Sequence, residues 1–234
     1  MAYPTVSAPY GLKPINLIGG QVFAGQTRSF QIASAYGTSI FNGDVVKIVS
    51  GGTIEKDTGT TTATPVGVFM GCSYVNAQGQ TIYAQNFVGG TTAPTGTVIT
   101  AYVADDPDQL FKAVLVAGTT ADDATSGLLP AYLGRTMIGS NAQLVQNAGN
   151  SQNGDSKVGI YSAAGATTTD SLPIRIIDVV PDTANSSGNF VEFIVKWNAP
   201  YAVSTSVYTG GPTPSVATTT VVTGGHQYLN PTGV

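Results

Sequence analysis

Apolar and polar residues alternate over short segments along most of the chain, and glycine, asparagine or proline separates one segment from the next. Short segments rich in β-branched and aromatic residues, punctuated in this way, are typical of strands. Only residues 119–140 are compatible with a helix, and Gly127 and Pro130 interrupt it. The pattern therefore indicates an all-β fold with a sandwich or barrel core. The predicted strands cover residues 29–33, 43–49, 53–56, 66–74, 81–87, 96–103, 157–161, 172–180 and 189–197.

The two ends of the chain differ in composition from the middle. Residues 1–17 contain three prolines, which disfavour helix, so an extended N-terminal arm is predicted. Residues 18–203 form the predicted β-rich core, with two candidate subdomains at 18–118 and 156–203 joined by a loop-rich segment. Residues 204–234 are rich in serine, threonine, glycine and proline, which is typical of a tail without its own core. The polar stretch 141–170 predicts a long surface loop around the short strand at 157–161.

Charge is scarce in this chain. Charged residues make up 9% of it and the net charge is −4, whereas charged residues are roughly a quarter of an ordinary soluble domain. A weakly charged surface favours self-association unless a partner covers it, which indicates a subunit of an assembly. The few lysines and arginines are scattered, so no nucleic-acid partner is expected. The N-terminus does not read as a signal peptide and no segment reads as a membrane span, so we expect synthesis in a cytoplasm and no membrane partner.

Few residues in the sequence are candidates for catalysis or metal binding. Cys72 lies in an apolar strand and is expected to be buried and inert. The run Asp105-Asp106-Pro107-Asp108 lacks the spacing of a calcium loop, so we interpret it as a turn whose aspartates cap backbone N–H groups. The single histidine, His226, lies in the tail and is expected to be solvated or at an interface. The sequence therefore predicts a protein that is not an enzyme, with no catalytic residue, no cofactor and no metal.

Three segments carry a resemblance to a known group of proteins. They are Pro9-Tyr10-Gly11-Leu12-Lys13-Pro14, Phe41-Asn42-Gly43-Asp44-Val45-Val46, and Val66-Gly67-Val68-Phe69-Met70-Gly71-Cys72-Ser73-Tyr74. Together with Ala104-Asp105-Asp106-Pro107 and the segments Ile174-Arg175-Ile176-Ile177 and Trp197-Asn198, they resemble virion proteins of tailed bacteriophages described as structural or decoration proteins. The segment Gly43-Asp44-Val45-Val46, followed by a glycine turn and then Val66-Gly67-Val68-Phe69, is also similar to small β-tulip decoration proteins.

The resemblance implies a capsid decoration, or cement, protein on the outer surface of the phage head. The implied partners are the major capsid protein and further copies of this chain, with a homotrimer favoured. Side chains of the arm would then anchor it on a neighbouring subunit. Two alternatives stay open: a head-fibre or tail-associated subunit, and a carbohydrate-binding β-sandwich displayed on the virion. The predicted anchors are Tyr3, Tyr10, Leu12 and Ile15.

Overall fold

The structure, a computed structural model, describes residues 6, 8–116, 135–161, 172–184, 190–198, 203–204, 219–220 and 226–229. Short strands dominate these residues, which confirms the all-β fold class. Across the described ranges, no helix is long and apolar enough to cross a membrane. The strands are β1 (Lys13–Leu17), β2 (Arg28–Ile32), β3 (Val45–Ile48), β4 (Ile54–Lys56), β5 (Gly67–Val75), β6 (Thr81–Ala84), β7 (Ile99–Ala104), β8 (Gln109–Val114), β9 (Asn141–Val145), β10 (Gly159–Tyr161), β11 (Ile174–Val179), β12 (Glu192–Trp197), β13 (Val203–Ser204) and β14 (Thr219–Thr220), with a helical turn α1 (Pro181–Ala184) and a 3-10 turn at Gln227–Leu229.

Five of the strands close into a first barrel. Their order is β3-β4-β2-β7-β5, and the pairing of β3 with β5 completes the circle. Strand β6 pairs with residues 72–75 in the second half of β5 and so extends the sheet. Inward-facing side chains fill the barrel because alternate residues of a strand point to the same face. The filling includes Ile32, Val46, Ile54, Phe69, Cys72, Ile99, Ala101 and Val103, and the adjoining Ile40 and Phe87 complete the cluster.

Five later strands close into a second barrel. Their order is β8-β12-β11-β9-β10, and a parallel bridge between Leu115 and Ile160 closes it just beyond the end of β8. Strand β1 pairs with the first half of β8. The core of this barrel contains Phe111 against Trp197, with ring centroids 5.0 Å apart. Val45 and Val68 of the first barrel join the same buried cluster, so the two barrels pack against each other.

The two barrels have the same strand connections and the same register. In chain order, the strands of the first barrel are β2, β3, β4, β5 and β7, and those of the second are β8, β9, β10, β11 and β12. In each barrel the first strand of this order is parallel to the third, and all other neighbouring strands are antiparallel. Ile32 faces Ile54 in the first barrel as Leu115 faces Ile160 in the second. The fourth strand of each carries a bulge after its third residue, at Phe69/Gly71 and at Ile176/Asp178. The chain is therefore a tandem structural duplication.

The structure differs from several boundaries predicted from the sequence. Residues 13–17 of the expected arm form β1, because their edge pairs with β8. Residues 141–145, expected in a surface loop, form β9, an inner strand of the second barrel. Strands β8 and β9 also start the second unit well before residue 156. Residues 1–5, most of residues 119–140 and most of the tail lie outside the described residues.

Candidate functional site

An open groove of about 410 Å³ lies beside the first barrel and is the candidate functional site. Part of the lining comes from a tight hairpin of residues 15–23, whose first half is the end of β1 and which is held by bonds from the Leu17 N–H to the Gln21 carbonyl and from the Phe23 N–H to the Ile15 carbonyl. The end of β7, the turn after it and Tyr228 supply most of the rest. The lining comprises Leu17, Gln21, Val22, Phe23, Ala24, Gln26, Arg28, Ala104, Asp105, Asp106, Pro107, Gln109 and Tyr228.

Two exposed apolar side chains line this groove, and two more directly follow lining residues in the chain. Val22 is 78% exposed and Tyr228 is 44% exposed, and both line it. Ile18 and Leu229, which are 49% and 45% exposed, directly follow the lining residues Leu17 and Tyr228 in the chain. Clusters of exposed apolar side chains with a polar border are typical of sites that bind another protein.

Charged and polar groups form one border of the groove. The Arg28 guanidinium lies 2.8 Å from the Asp105 carboxylate, and the Tyr228 hydroxyl donates to the same carboxylate at 2.9 Å. The guanidinium also lies 5.5 Å from the centre of the Tyr228 ring. Burial, together with the bond to Asp105, raises the pKa of Tyr228 to about 12. The tyrosine therefore stays protonated and acts as a donor at neutral pH.

The C-terminal residues 226–229 hold this border in place. The Gln227 side chain accepts from the Ile48 N–H at 2.6 Å and donates to the Ile48 carbonyl at 2.9 Å. The Gln227 N–H donates to the Pro65 carbonyl at 2.7 Å. His226 is fully buried, with its ring centre 6.2 Å from that of Trp197. The expectation of a solvated or interface histidine is therefore wrong, because this part of the tail packs on the chain itself.

Three of the four predicted arm anchors lie in the described residues and belong to the chain's own second barrel or its edge. Leu12 is fully buried in the core cluster of that barrel, so its side chain has no face left for a neighbour. Ile15 lies in β1 and is half-buried. The Tyr10 hydroxyl donates to the buried carboxylate of Glu192, and burial followed by this bond raises the pKa of Tyr10. Tyr3 lies outside the described residues.

Buried polar groups also join the two barrels. The Asp44 carboxylate is fully buried and lies 2.9 Å from the Lys56 ammonium. It accepts from the Ser156 hydroxyl at 2.6 Å and from the Phe41 N–H at 2.9 Å. Asp44 and Lys56 belong to the first barrel, whereas Ser156 precedes β10 of the second. This carboxylate is therefore a structural junction between the two units.

The remaining chemical candidates have structural environments. Cys72 is buried inside the first barrel, as predicted, and burial raises the pKa of its thiol to about 11. Asp106 accepts from the Asp108 N–H at 2.8 Å, as predicted for a capping turn, whereas the Asp105 carboxylate binds Arg28 and Tyr228 instead. Within the described residues, no three His, Cys, Asp or Glu side chains come together in a way that could hold a metal ion.

Comparison of the chain with protein-family models, with curated proteins and with solved structures found no match to any of them. The groove was not predicted from the sequence, because Arg28, Asp105 and Tyr228 are far apart in the chain. The one local signal was the apolar pair Val22-Phe23 between glycines at 20 and 25, which marks an exposed hairpin.

Proposed function

We propose that this protein is a structural subunit of a tailed-phage particle, which binds the outer surface of the head and stabilises contacts between major capsid subunits. The observation that supports the proposal best is the groove, which presents the exposed side chains of Val22 and Tyr228 among polar groups, on a chain with 9% charged residues. Such an exterior is suited to burial against a partner, because few charges lose hydration when the partner docks.

The groove offers the features of a protein-binding site with a few strong anchors. Val22 and Tyr228 present apolar surface, and fully burying a side chain of this kind contributes about 1.5–3 kcal/mol. The Arg28–Asp105 pair on the border supplies directional contacts for backbone or side-chain groups of the partner. We infer that an extended apolar segment of a major capsid subunit occupies the groove.

This assignment moves the proposed contact surface away from most of the arm. The Tyr10 hydroxyl binds Glu192 of the same chain, and the Leu12 side chain is buried in the core of the same chain. Tyr3 remains a proposed anchor on the neighbouring subunit, and self-association as a trimer remains part of the proposal. Sedimentation of the purified protein measures that stoichiometry.

The test is binding to phage heads assembled without this protein. Val22→Asp places a charge in the groove and is expected to weaken co-sedimentation with heads on the order of a hundredfold, about 3 kcal/mol. Val98→Asp is the matched control, because Val98 is 53% exposed and does not line the groove. Equal binding by the two variants would overturn the assignment of the groove.

The structure bears on one of the two alternatives. A carbohydrate-binding module stacks sugars on exposed aromatic rings; Trp197, the single tryptophan of the sequence, is fully buried, so in the described residues the exposed rings of Tyr83 and Tyr228 would have to serve. A glycan array tests the same alternative directly. Electron microscopy of intact particles distinguishes the head surface from a head-fibre or tail position.

A further inference from the structure

The duplication exposes an equivalence between two positions at the edges of the barrels. Ile48 ends β3, and its counterpart in the second barrel is Leu144 of β9, since Ile48 pairs with Ile54 as Leu144 pairs with Ile160. The Leu144 N–H donates to the Thr60 carbonyl at 3.1 Å, and Thr60 belongs to the loop between β4 and β5 of the first barrel. At the second barrel, therefore, this position binds a peptide group from another unit.

The counterpart position of the first barrel binds the C-terminal segment. The Gln227 amide both accepts from and donates to the Ile48 backbone, as a peptide group of an added strand would. Its own N–H donates to the Pro65 carbonyl, and Tyr228 donates to Asp105. The same kind of edge is thus completed in one barrel by a neighbouring unit and in the other by residues 226–229.

The stretch of chain between β12 and this segment contains many more residues than the distance between the two requires. The Trp197 and His226 rings are 6.2 Å apart, although residues 198–225 lie between them. Pairing of Val203 with Thr220 shortens the path to residues 198–203 and 220–225. Fully extended, those two stretches reach about 40 Å, close to the diameter of a globular protein of this size, which is roughly 45 Å. A tether of this reach lets the segment leave its own edge and extend to a copy packed directly beside this one.

We propose that residues 226–229 are an exchangeable closing segment, and that a second copy of this chain can supply it to the Ile48 edge. In dilute solution the chain's own segment occupies the edge, because the tether gives it a high effective concentration. When copies are crowded, as on a shell, exchange links neighbours without forming any new type of contact, as in domain swapping. This goes beyond the proposed function and does not depend on it.

The experiment uses two full-length labelled proteins. Cys72 is the only cysteine and is buried, so a cysteine introduced on the surface can be labelled selectively. One protein carries a donor dye at Lys47→Cys, beside the Ile48 edge, and the other an acceptor dye at Leu229→Cys. The two are mixed at high concentration, with mild denaturant to speed exchange, and then diluted. Exchange is expected to produce intermolecular energy transfer and a dimer peak in size-exclusion chromatography.

Two further variants decide what causes any transfer. Adding Gln227→Ala to the acceptor protein removes both side-chain bonds to Ile48 and should reduce transfer on the order of tenfold. Adding Gln78→Ala instead, at an exposed glutamine outside the segment, should leave transfer unchanged. No transfer at any concentration would overturn the proposal, and so would transfer that persists with Gln227→Ala. Neither result alters the head-binding test, which uses Val22 and does not require exchange.

Discussion

Replacing Asp44 with alanine tests how the two barrels are joined. The carboxylate is fully buried and has three partners: the Lys56 ammonium at 2.9 Å, the Ser156 hydroxyl at 2.6 Å and the Phe41 N–H at 2.9 Å. The Lys56 side chain is only 10% exposed, so it loses its counter-charge in a place that water barely reaches. Alanine therefore leaves a nearly buried cation and two polar groups without their acceptor.

The expected cost follows from these partners. Removing one member of a buried ion pair costs about 3–5 kcal/mol. The lysine can extend its flexible stem toward solvent, which favours the lower half of that range. The hydroxyl of Ser156 can rotate to another acceptor, so its loss adds little. We expect the free energy of unfolding to fall by about 3–4 kcal/mol, a large share of the roughly 5–15 kcal/mol that stabilises a typical domain.

Equilibrium unfolding in urea measures this loss, with an unchanged slope indicating that only stability has changed. Asp108→Ala is the control, because that carboxylate is 66% exposed and lies 3.6 Å from Lys196, so its removal should cost under about 1 kcal/mol. The pair Asp44→Asn with Lys56→Met removes both charges and keeps an acceptor, and it should recover at least half of the loss. The reasoning is refuted if Asp44→Ala costs no more than Asp108→Ala.

Three other changes have expected outcomes. Tyr10→Phe removes the donor to buried Glu192 and should lower stability by about 1–2 kcal/mol in urea unfolding; no change would mean that the bond is not made in solution. Burial lowers the pKa of His226 below 6.5, against the opposing effect of backbone carbonyls and nearby aspartates. Stability is therefore complete above about pH 6.5 and falls as the pH drops from there toward the lowered pKa; His226→Asn should flatten this dependence in unfolding curves. Gly149→Ala places a Cβ 2.2 Å from the Phe41 ring and should cost about 1–3 kcal/mol, measured as a lower melting temperature, and an unchanged value would contradict it.

Strands with a strong local pattern could be predicted from the sequence. The predicted strands at 29–33, 66–74 and 189–197 correspond to β2, β5 and β12, because alternation and β-branched residues are local properties. Strand β9 was not predicted, because a polar, glycine-rich run follows it in the sequence. In the structure its two edges pair with β10 and β11. The duplication was also not predicted, since many counterparts share pairing partners and differ in residue type, as Asp44 and Ser140 illustrate.

The candidate site could not be predicted, because its parts come together only in the folded chain. Nothing local distinguishes Gln227 from the polar residues around it, and its role depends on the Ile48 backbone far away in sequence. The segments that carry the phage resemblance have a physical meaning that the sequence alone did not reveal. Gly11 and Gly43 touch, and the Leu12 N–H donates to the Gly43 carbonyl at 3.0 Å. The segments 9–14 and 41–46 therefore meet where the two barrels join.

Because the chain contains two barrels of the same topology, each residue of one can be compared with its counterpart in the other. The Gly43 N–H donates to the Phe69 carbonyl at 2.8 Å, and the Gly139 N–H donates to the Ile176 carbonyl at 2.9 Å. The backbone bonds that the two twins share define the common barrel, whereas core side chains such as Phe69 and its counterpart Ile176 differ in size. A buried polar side chain present in only one twin, such as the Asp44 carboxylate with its bond to Ser156, can therefore be assigned to holding the units together.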